Sequence, residues 1–181
     1  MGLAKVRILV VDDYEPWRHF VRSTFQIETE VRIISEVSDG LEAVWKAQEL
    51  LPDLILLDIG LPALNGIEAA RRIREVAPTS TILFVSENRS VDVAEEALNT
   101  GAAGYVVKSD AAGELLPAVK SGSRRQAFCQ CQFVWSRSCP PYASANHGIA
   151  RDVAEVEYVE AQEHRIRSIC HRSVGFLLAS T

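Results

Sequence analysis

Five side chains that could act together follow short apolar runs in this 181-residue sequence. Asp12 and Asp13 follow the first run, Asp58 ends the third, Ser86 ends the fourth, and Lys108 follows the fifth. Three carboxylates brought together repel one another, by about 4 kcal/mol for each pair at 4 Å and an effective dielectric near 20. A cation would offset that repulsion, and Mg²⁺ suits the site because it takes carboxylates together with phosphate oxygens.

A carboxylate beside a divalent ion, a lysine and a hydroxyl can form and hydrolyse an aspartyl phosphate. Asp58 is the candidate nucleophile, with Lys108 as a second positive charge. Taken singly, each residue has an ordinary structural explanation, because acids favour turns, serines cap helices and lysines are usually solvated. Their joint occurrence at the ends of strands favours the chemical interpretation.

The elements that would position these residues can be read from the apolar pattern. Runs rich in β-branched residues predict five strands, at residues 6–11, 31–37, 54–58, 81–86 and 104–107. Stretches with helical spacing follow each of them, at residues 20–25, 41–50, 67–76, 91–98 and 115–119. Ser90 and either Ser109 or Asp110 are predicted helix caps.

Alternation of strands and helices predicts an α/β fold, a parallel sheet covered on both faces. In such sheets the reactive crevice lies beyond the carboxyl ends of the strands. The five polar side chains all follow strands, so we expect them at this one edge.

Composition limits the classes of protein to consider. Hydrophobic residues make up 48% of the sequence, which is enough for a substantial core. No apolar run approaches the roughly 20 residues of a membrane span, and acidic residues come too early for a secretory signal, so we expect a cytoplasmic protein. Through Lys120 there are 12 Lys and Arg against 19 Asp and Glu, and beyond it 7 against 5, so the acidic first part argues against nucleic-acid binding there.

Four motifs together resemble the receiver domain of bacterial two-component response regulators. They are "VVDDYE", "LLDIGLPALNG", "FVSEN" and "GAAGYVVKSDAAGELLPAV", and the similarity spans about residues 5–120. The last motif is similar to the subfamily that usually carries a helix-turn-helix output domain. The resemblance implies a receiver domain at residues 1–120, with a flavodoxin-like (βα)5 doubly wound sheet in the order 2-1-3-4-5.

The resemblance also implies a set of roles for the site. Asp58 would accept a phosphoryl group from a sensor histidine kinase, so the protein would be a signalling switch rather than an enzyme. Asp13, Asp58 and the backbone carbonyl of Gly60 would bind Mg²⁺, with Asp12 acting through water. Lys108 would hold the phosphate.

The same resemblance implies a switch. Ser86 would also contact the phosphate, and Tyr105 would swing inward when Ser86 moves. The face formed by residues 91–119 would carry the signal, with a homodimer as one use of it.

Two positions depart from the family pattern. Ser109 stands where many receivers have proline, although this subfamily often lacks it. Glu87 stands where a small residue usually leaves the phosphate open to water and to the donor. A carboxylate there could repel a phosphoryl group or alter the lifetime of the phosphate.

Two other functions stay open from the residues alone. A metal-dependent phosphohydrolase with an aspartyl nucleophile would need a second acid two residues further on, where this chain has Gly60. A degenerate receiver would bind partners without phosphorylation, but all five expected side chains are present.

Residues 121–181 lose the regular alternation, and we expect this tail to be largely disordered. All four cysteines lie there: Cys129, Cys131, Cys139 and Cys170. The C-x-C spacing is not the one usual for structural zinc, although three histidines nearby leave a metal site conceivable. No helix-turn-helix pattern is visible, so the tail does not support DNA binding.

A frameshift would explain the tail. Codons for "RQAFCQCQFVW" can be chosen so that a shift of one nucleotide reads Gly-Lys-Arg-Phe-Val-Ser-Ala-Ser-Leu. That sequence resembles the usual continuation of the family after "ELLPAV".

Overall fold

The computed structural model describes residues 5–122, with side chains through Lys120. Its strands are β1 (Val6–Val11), β2 (Val31–Val37), β3 (Leu54–Leu57), β4 (Thr81–Ser86) and β5 (Gly104–Val107). Its helices are α1 (Glu15–Phe25), α2 (Gly40–Leu50), α3 (Gly66–Val76), α4 (Val91–Asn99) and α5 (Ala111–Gly122), with a 3₁₀ turn at Lys108–Asp110. The five predicted strands are confirmed, except that β3 ends one residue earlier and leaves Asp58 just beyond it.

The strands form one parallel sheet in the order β2-β1-β3-β4-β5, as predicted. Val11 at the end of β1 lies beside Val37 and Leu57, and Ser86 at the end of β4 lies beside Val107. The carboxyl ends of all five strands therefore meet at one edge, and the loops that follow β1, β3, β4 and β5 carry the acids, Ser86 and Lys108.

Alternate residues of the strands supply two apolar layers. Ile8 and Val10 of β1 face the layer that also contains Val21 of α1 and Leu115 of α5. The other layer contains alanines and isoleucines of α2, α3 and α4, together with Leu9 of β1. Helices α1 and α5 thus cover one face of the sheet and the other three helices cover the opposite face.

Short polar side chains begin two of the helices. The Asp39 carboxylate accepts hydrogen bonds from the backbone N–H groups of Leu41 and Glu42, and the Asn65 side chain accepts one from Glu68. Ser90 is the N-cap residue of α4, as predicted, although its side chain makes no capping hydrogen bond.

The predicted cap of α5 falls on the residues just before that helix. Ser109 and Asp110 lie inside the 3₁₀ turn, and α5 begins at Ala111, directly after Asp110. The turn is needed because the chain must leave the end of β5 with Lys108 at the sheet edge before the helix starts.

Helix α5 extends two residues into the predicted tail, to Gly122, and the other predictions for residues 121–181 lie outside the described part of the chain. They concern the rest of the tail, its four cysteines and the frameshift. Within residues 5–122, none of the helices combines the length and the apolar character that a bilayer crossing requires.

Candidate functional site

Three carboxylates meet at the carboxyl edge of the sheet. Val11 and Leu57 are paired across neighbouring strands, so Asp12 and Asp58, which follow them, leave the sheet side by side. One carboxylate oxygen from each of Asp12, Asp13 and Asp58 lies within 4.8 Å of the others. Asp12 is 1% exposed and Asp58 is 7% exposed, whereas Asp13 faces solvent.

Lys108 brings its ammonium group to two of these acids. Its Nζ lies 2.7 Å from Oδ2 of Asp12 and 3.0 Å from Oδ2 of Asp58. The Lys108 side chain is only 8% exposed, so water screens these ion pairs weakly. The other oxygen of Asp58 accepts a hydrogen bond of 2.7 Å from the backbone N–H of Ile59, which orients the carboxylate.

The charges of the cluster act on one another. Burial raises the pKa of Asp12, and the nearby Lys108 ammonium offsets only part of that effect. Burial by itself would lower the pKa of Lys108, but the carboxylates of Asp12 and Asp58 outweigh it and raise the pKa. Lys108 is therefore held as a cation, and the site favours positive charge.

The donor set fits a hard divalent cation. Oδ2 of Asp12 is buried and has no hydrogen-bond partner among the described residues beyond its ion pair with Lys108. One ammonium group cannot neutralise three clustered carboxylates. Gly60 lies beside the cluster, since a Cβ built on it would stand 3.9 Å from Oδ2 of Asp58. Mg²⁺ is usually bound by one or two carboxylates together with water and phosphate oxygens, and this cluster can supply those carboxylates.

Ser86 and Tyr105 lie together next to the acids. Ser86 is buried, and its Oγ accepts a hydrogen bond of 3.3 Å from the backbone N–H of Asn88. Tyr105 is 1% exposed, and its hydroxyl donates a hydrogen bond of 2.7 Å to the backbone carbonyl of Asn88. Burial raises the pKa of the Tyr105 hydroxyl, and a hydrogen bond with Ser86 opposes that rise. The ring is already inside the protein in this arrangement.

Two arginines that the sequence analysis did not identify hold the loops of the site. Arg18 donates a hydrogen bond of 2.6 Å from Nη1 to the backbone carbonyl of Asp12, which ties the acidic pair to α1. Arg89 reaches from the loop after β4 to the 3₁₀ turn, with Nη2 at 2.6 Å from Oγ of Ser109 and 3.1 Å from Oδ1 of Asp110. No sequence signal distinguishes them, because these contacts depend on loop geometry.

The two residues that depart from the family pattern are both exposed. Glu87 follows Ser86 directly and faces solvent. Ser109 follows Lys108 and accepts its hydrogen bond from Arg89. Ser109 therefore takes part in joining two loops of the site, a role that proline could not fill through a side-chain oxygen.

The chain is similar to a known protein family and to several known proteins. The family model described as "Response regulator receiver domain" matches residues 8–120. The transcriptional regulatory protein DegU of Brevibacillus brevis is 34% identical over 124 residues, which are 68% of this chain and 52% of DegU. The chain spans about half the length of this curated relative.

Two solved structures are also similar. A two-component response regulator of the LuxR family from Aurantimonas sp. SI85-9A1 has a TM-score of 0.62 and 32% identity, covering 65% of this chain and 84% of the other. The response regulator domain of Thermotoga maritima CheB has a TM-score of 0.63 and 32% identity, covering 67% of this chain and 98% of the other.

Proposed function

Because the chain belongs to the family of response regulator receiver domains, as its motifs predicted, we propose that it accepts a phosphoryl group on Asp58. The donor is the phosphohistidine of a sensor histidine kinase, and the product changes the conformation of the receiver. The receiver domain of this family serves in signalling, and we propose that this domain is a switch rather than a conventional enzyme. The observation that carries the proposal is the Lys108 ammonium held between the carboxylates of Asp12 and Asp58.

In the proposed reaction an oxygen of the Asp58 carboxylate attacks phosphorus, and the bond from phosphorus to the histidine nitrogen breaks. The imidazole leaves with the electron pair of that bond, and the phosphoryl group becomes an acyl phosphate on Asp58. Little covalent chemistry is required of the protein, so positioning and charge stabilisation are its main contributions. The hydrogen bond from Ile59 to Oδ1 leaves Oδ2, the oxygen facing Lys108, as the candidate nucleophile.

Asp13, Asp58 and the backbone carbonyl of Gly60 are the proposed holders of Mg²⁺, and Asp12 acts through water. When bound, the ion would neutralise negative charge on the carboxylates and on the phosphoryl oxygens. Asp13 suits this role because it is the exposed member of the cluster and leaves the site open to solvent.

Lys108 and Ser86 are proposed to hold the transferred phosphoryl group. Lys108 supplies a cation that is already desolvated and next to Asp58, so little reorganisation precedes the reaction. Ser86 supplies a hydroxyl from the neighbouring strand end. A phosphate adds negative charge and acceptor oxygens. Lys108 and Ser86 can contact these oxygens together only when the loops that carry them are both close to Asp58.

The switch is proposed to run from Ser86 through Asn88 and Tyr105 to the face formed by residues 91–119. The three residues are already linked, since Asn88 donates its N–H to Ser86 and accepts a hydrogen bond from Tyr105. Movement of Ser86 toward a phosphate would therefore act on the start of α4. To turn a 1:99 equilibrium into 99:1, the phosphate must favour the active state by about 5.5 kcal/mol. A homodimer through this face is one proposed output.

The degenerate receiver remains the alternative function. It would bind partners without phosphorylation and would need no complete acid, hydroxyl and lysine set. All five side chains meet at the edge in this chain, which supports the phosphoacceptor proposal. The phosphohydrolase alternative lacks its second acid, because Gly60 occupies the position where that acid would stand. The space beside Gly60 is largely open.

Intact mass measurement after incubation with acetyl phosphate and Mg²⁺ tests the proposal. The wild-type chain should gain the mass of one phosphoryl group, and the gain should disappear with EDTA. Asp58→Asn should gain nothing, while the fold stays intact by circular dichroism. Labelling of Asp58→Asn at the wild-type rate would contradict the assignment of the phosphoacceptor.

A further inference from the structure

Trp17 lies against the ammonium group of Lys108. Nζ of Lys108 is 5.4 Å from the centroid of the Trp17 ring, within the range of a cation–π interaction. Trp17 belongs to the first turn of α1, and Lys108 begins the 3₁₀ turn that leads into α5. Because α1 and α5 cover the same face of the sheet, the first turn of α1 lies beside the Lys108 stem at the carboxyl edge.

The indole ring also lies against a second aromatic side chain. Phe20 lies one turn further along α1, with its ring centroid 5.0 Å from that of Trp17 and the ring planes tilted by 33°. Both side chains pack against the core layer beneath α1 and α5. The backbone N–H of Trp17 also donates a hydrogen bond of 3.0 Å to the carbonyl of Tyr14. The packing therefore restricts the position of the Trp17 ring, whereas the Lys108 side chain has four rotatable bonds.

We propose that Trp17 is a positioning residue, which holds the Lys108 ammonium at the acid cluster without using any of its hydrogen-bond donors. This inference rests on the proposed phosphoacceptor function of Asp58. An ammonium group has three N–H donors, and an aromatic face attracts the charge without accepting them in the way a carboxylate does. All three donors thus stay available to Asp12, to Asp58 and to an incoming phosphoryl oxygen.

The ring also limits the positions that Lys108 can take. Without it, the side chain could turn toward water, and the ordering of a long flexible stem would be lost. Mg²⁺ binding should not depend on Trp17, because its proposed ligands are the acids and a backbone carbonyl. The effect of losing the ring should therefore fall on the transfer of the phosphoryl group and not on the metal.

Two substitutions at Trp17 and one elsewhere separate positioning from simple packing. Trp17→Phe keeps an aromatic face, and Trp17→Leu keeps an apolar side chain but removes that face. Trp45→Leu is the matched control, because Lys46 Nζ lies 4.5 Å from the Trp45 ring on α2, where Trp45 is 59% exposed. It removes an equivalent interaction outside the site.

The experiment measures three quantities on the full chain and each variant. They are the rate of labelling by acetyl phosphate at saturating Mg²⁺, the affinity for Mg²⁺, and the proton chemical shifts of the Lys108 methylene groups without phosphodonor. Trp17→Leu should label about tenfold more slowly and Trp17→Phe within about threefold of wild type, since Trp binds cations more strongly than Phe. Trp45→Leu should label at the wild-type rate, and Mg²⁺ affinity should change less than about twofold in all variants.

The shift measurement keeps the two proposals distinguishable. The ring current of Trp17 should displace the Lys108 methylene signals, and Trp17→Leu should abolish that displacement while Trp45→Leu leaves it. The positioning role would be overturned if the wild-type chain is labelled and Trp17→Leu is labelled at the same rate. It would also be overturned if labelling is slowed equally in Trp17→Phe and Trp17→Leu. If the wild-type chain takes no label, the phosphoacceptor function fails, and unchanged Lys108 shifts in Trp17→Leu would then overturn this inference as well.

Discussion

Nζ of Lys108 lies 3.0 Å from Oδ2 of Asp58, although 50 positions separate the two residues in the chain. They follow β5 and β3, which are not neighbours, because β4 lies between them in the sheet. The Lys108 side chain spans that gap and also meets Asp12 on the far side. Any change in the charge of Asp58 therefore acts directly on Lys108.

Loss of Asp13 and loss of Lys108 should have different effects on Mg²⁺. Asp13→Ala removes a proposed ligand and should weaken Mg²⁺ binding by at least about tenfold, the scale found even for outer-shell partners. Lys108→Ala removes a competing positive charge and should leave the affinity unchanged or higher, while the response to phosphate is lost. Mg²⁺ titration followed by NMR measures both, and an equal loss of affinity in the two variants would contradict the assigned roles.

A phosphate analogue should change the face formed by residues 91–119 through Ser86. Beryllofluoride with Mg²⁺ should shift amide signals around Asp58 and also along α4 and β5, and Ser86→Ala should confine the shifts to the neighbourhood of Asp58. The reason is that Ser86, Asn88 and Tyr105 form one connected set of hydrogen bonds. Shifts restricted to the Asp58 neighbourhood in the wild-type protein would refute this route.

Tyr105→Phe provides a stability measurement on the same set. The substitution leaves the Asn88 carbonyl without its donor, and it should lower the free energy of unfolding by about 1 kcal/mol. Chemical denaturation measures this loss. No loss at all would mean that the hydrogen bond contributes nothing to the resting fold.

Gly66→Ala should damage both the fold and the site. A Cβ at Gly66 would stand 1.9 Å from the backbone carbonyl oxygen of Asp58 and 2.8 Å from Cα of Ile59, so the backbone that carries the phosphoacceptor would have to move. We expect a loss of about 1–3 kcal/mol or more in the free energy of unfolding.

Gly113→Ala is the control for this substitution. A Cβ at Gly113 meets no heavy atom within 4 Å outside its own helix backbone. Alanine in α5 should leave stability unchanged or raise it by about 0.5–1 kcal/mol. Equal unfolding midpoints for the two variants would show that the close approach of Gly66 to Asp58 is not a constraint.

Truncation after Lys120 should leave the receiver folded. Among the residues that the structure describes, those that form the two core layers all precede Lys120, and Lys120 has an ion pair with Glu28, at 3.0 Å. The unfolding temperature should change by less than about 4 °C, the shift that roughly 1 kcal/mol produces in a domain of this size. A large drop would show that the tail contributes to the folded domain.

The coding DNA tests the frameshift hypothesis separately. Its shifted frame after Ser121 should stay open and should continue to resemble the family. Early stop codons in that frame would exclude the hypothesis, whatever the truncated chain does.

Local patterns in the sequence determined the elements of this protein and the edge of the sheet that carries the site. The β-branched runs predicted all five strands, with an error of one residue at Asp58, because the tendency to form a strand depends on adjacent residues and on burial of both faces. Because parallel strands end at one edge of a sheet, the same patterns predicted that Asp12, Asp58 and Lys108 lie close together.

Only the tertiary structure decided which atoms meet. The pairing of Lys108 with two acids, the bond from the Tyr105 hydroxyl to Asn88 and the Trp17 ring against Lys108 each join residues on different elements. The absence of a side-chain capping hydrogen bond at Ser90 has the same origin, since such a bond depends on the geometry of the loop before α4. Such contacts depend on how helices pack and loops close over the sheet, and side-chain periodicity along the chain carries no information on those distances.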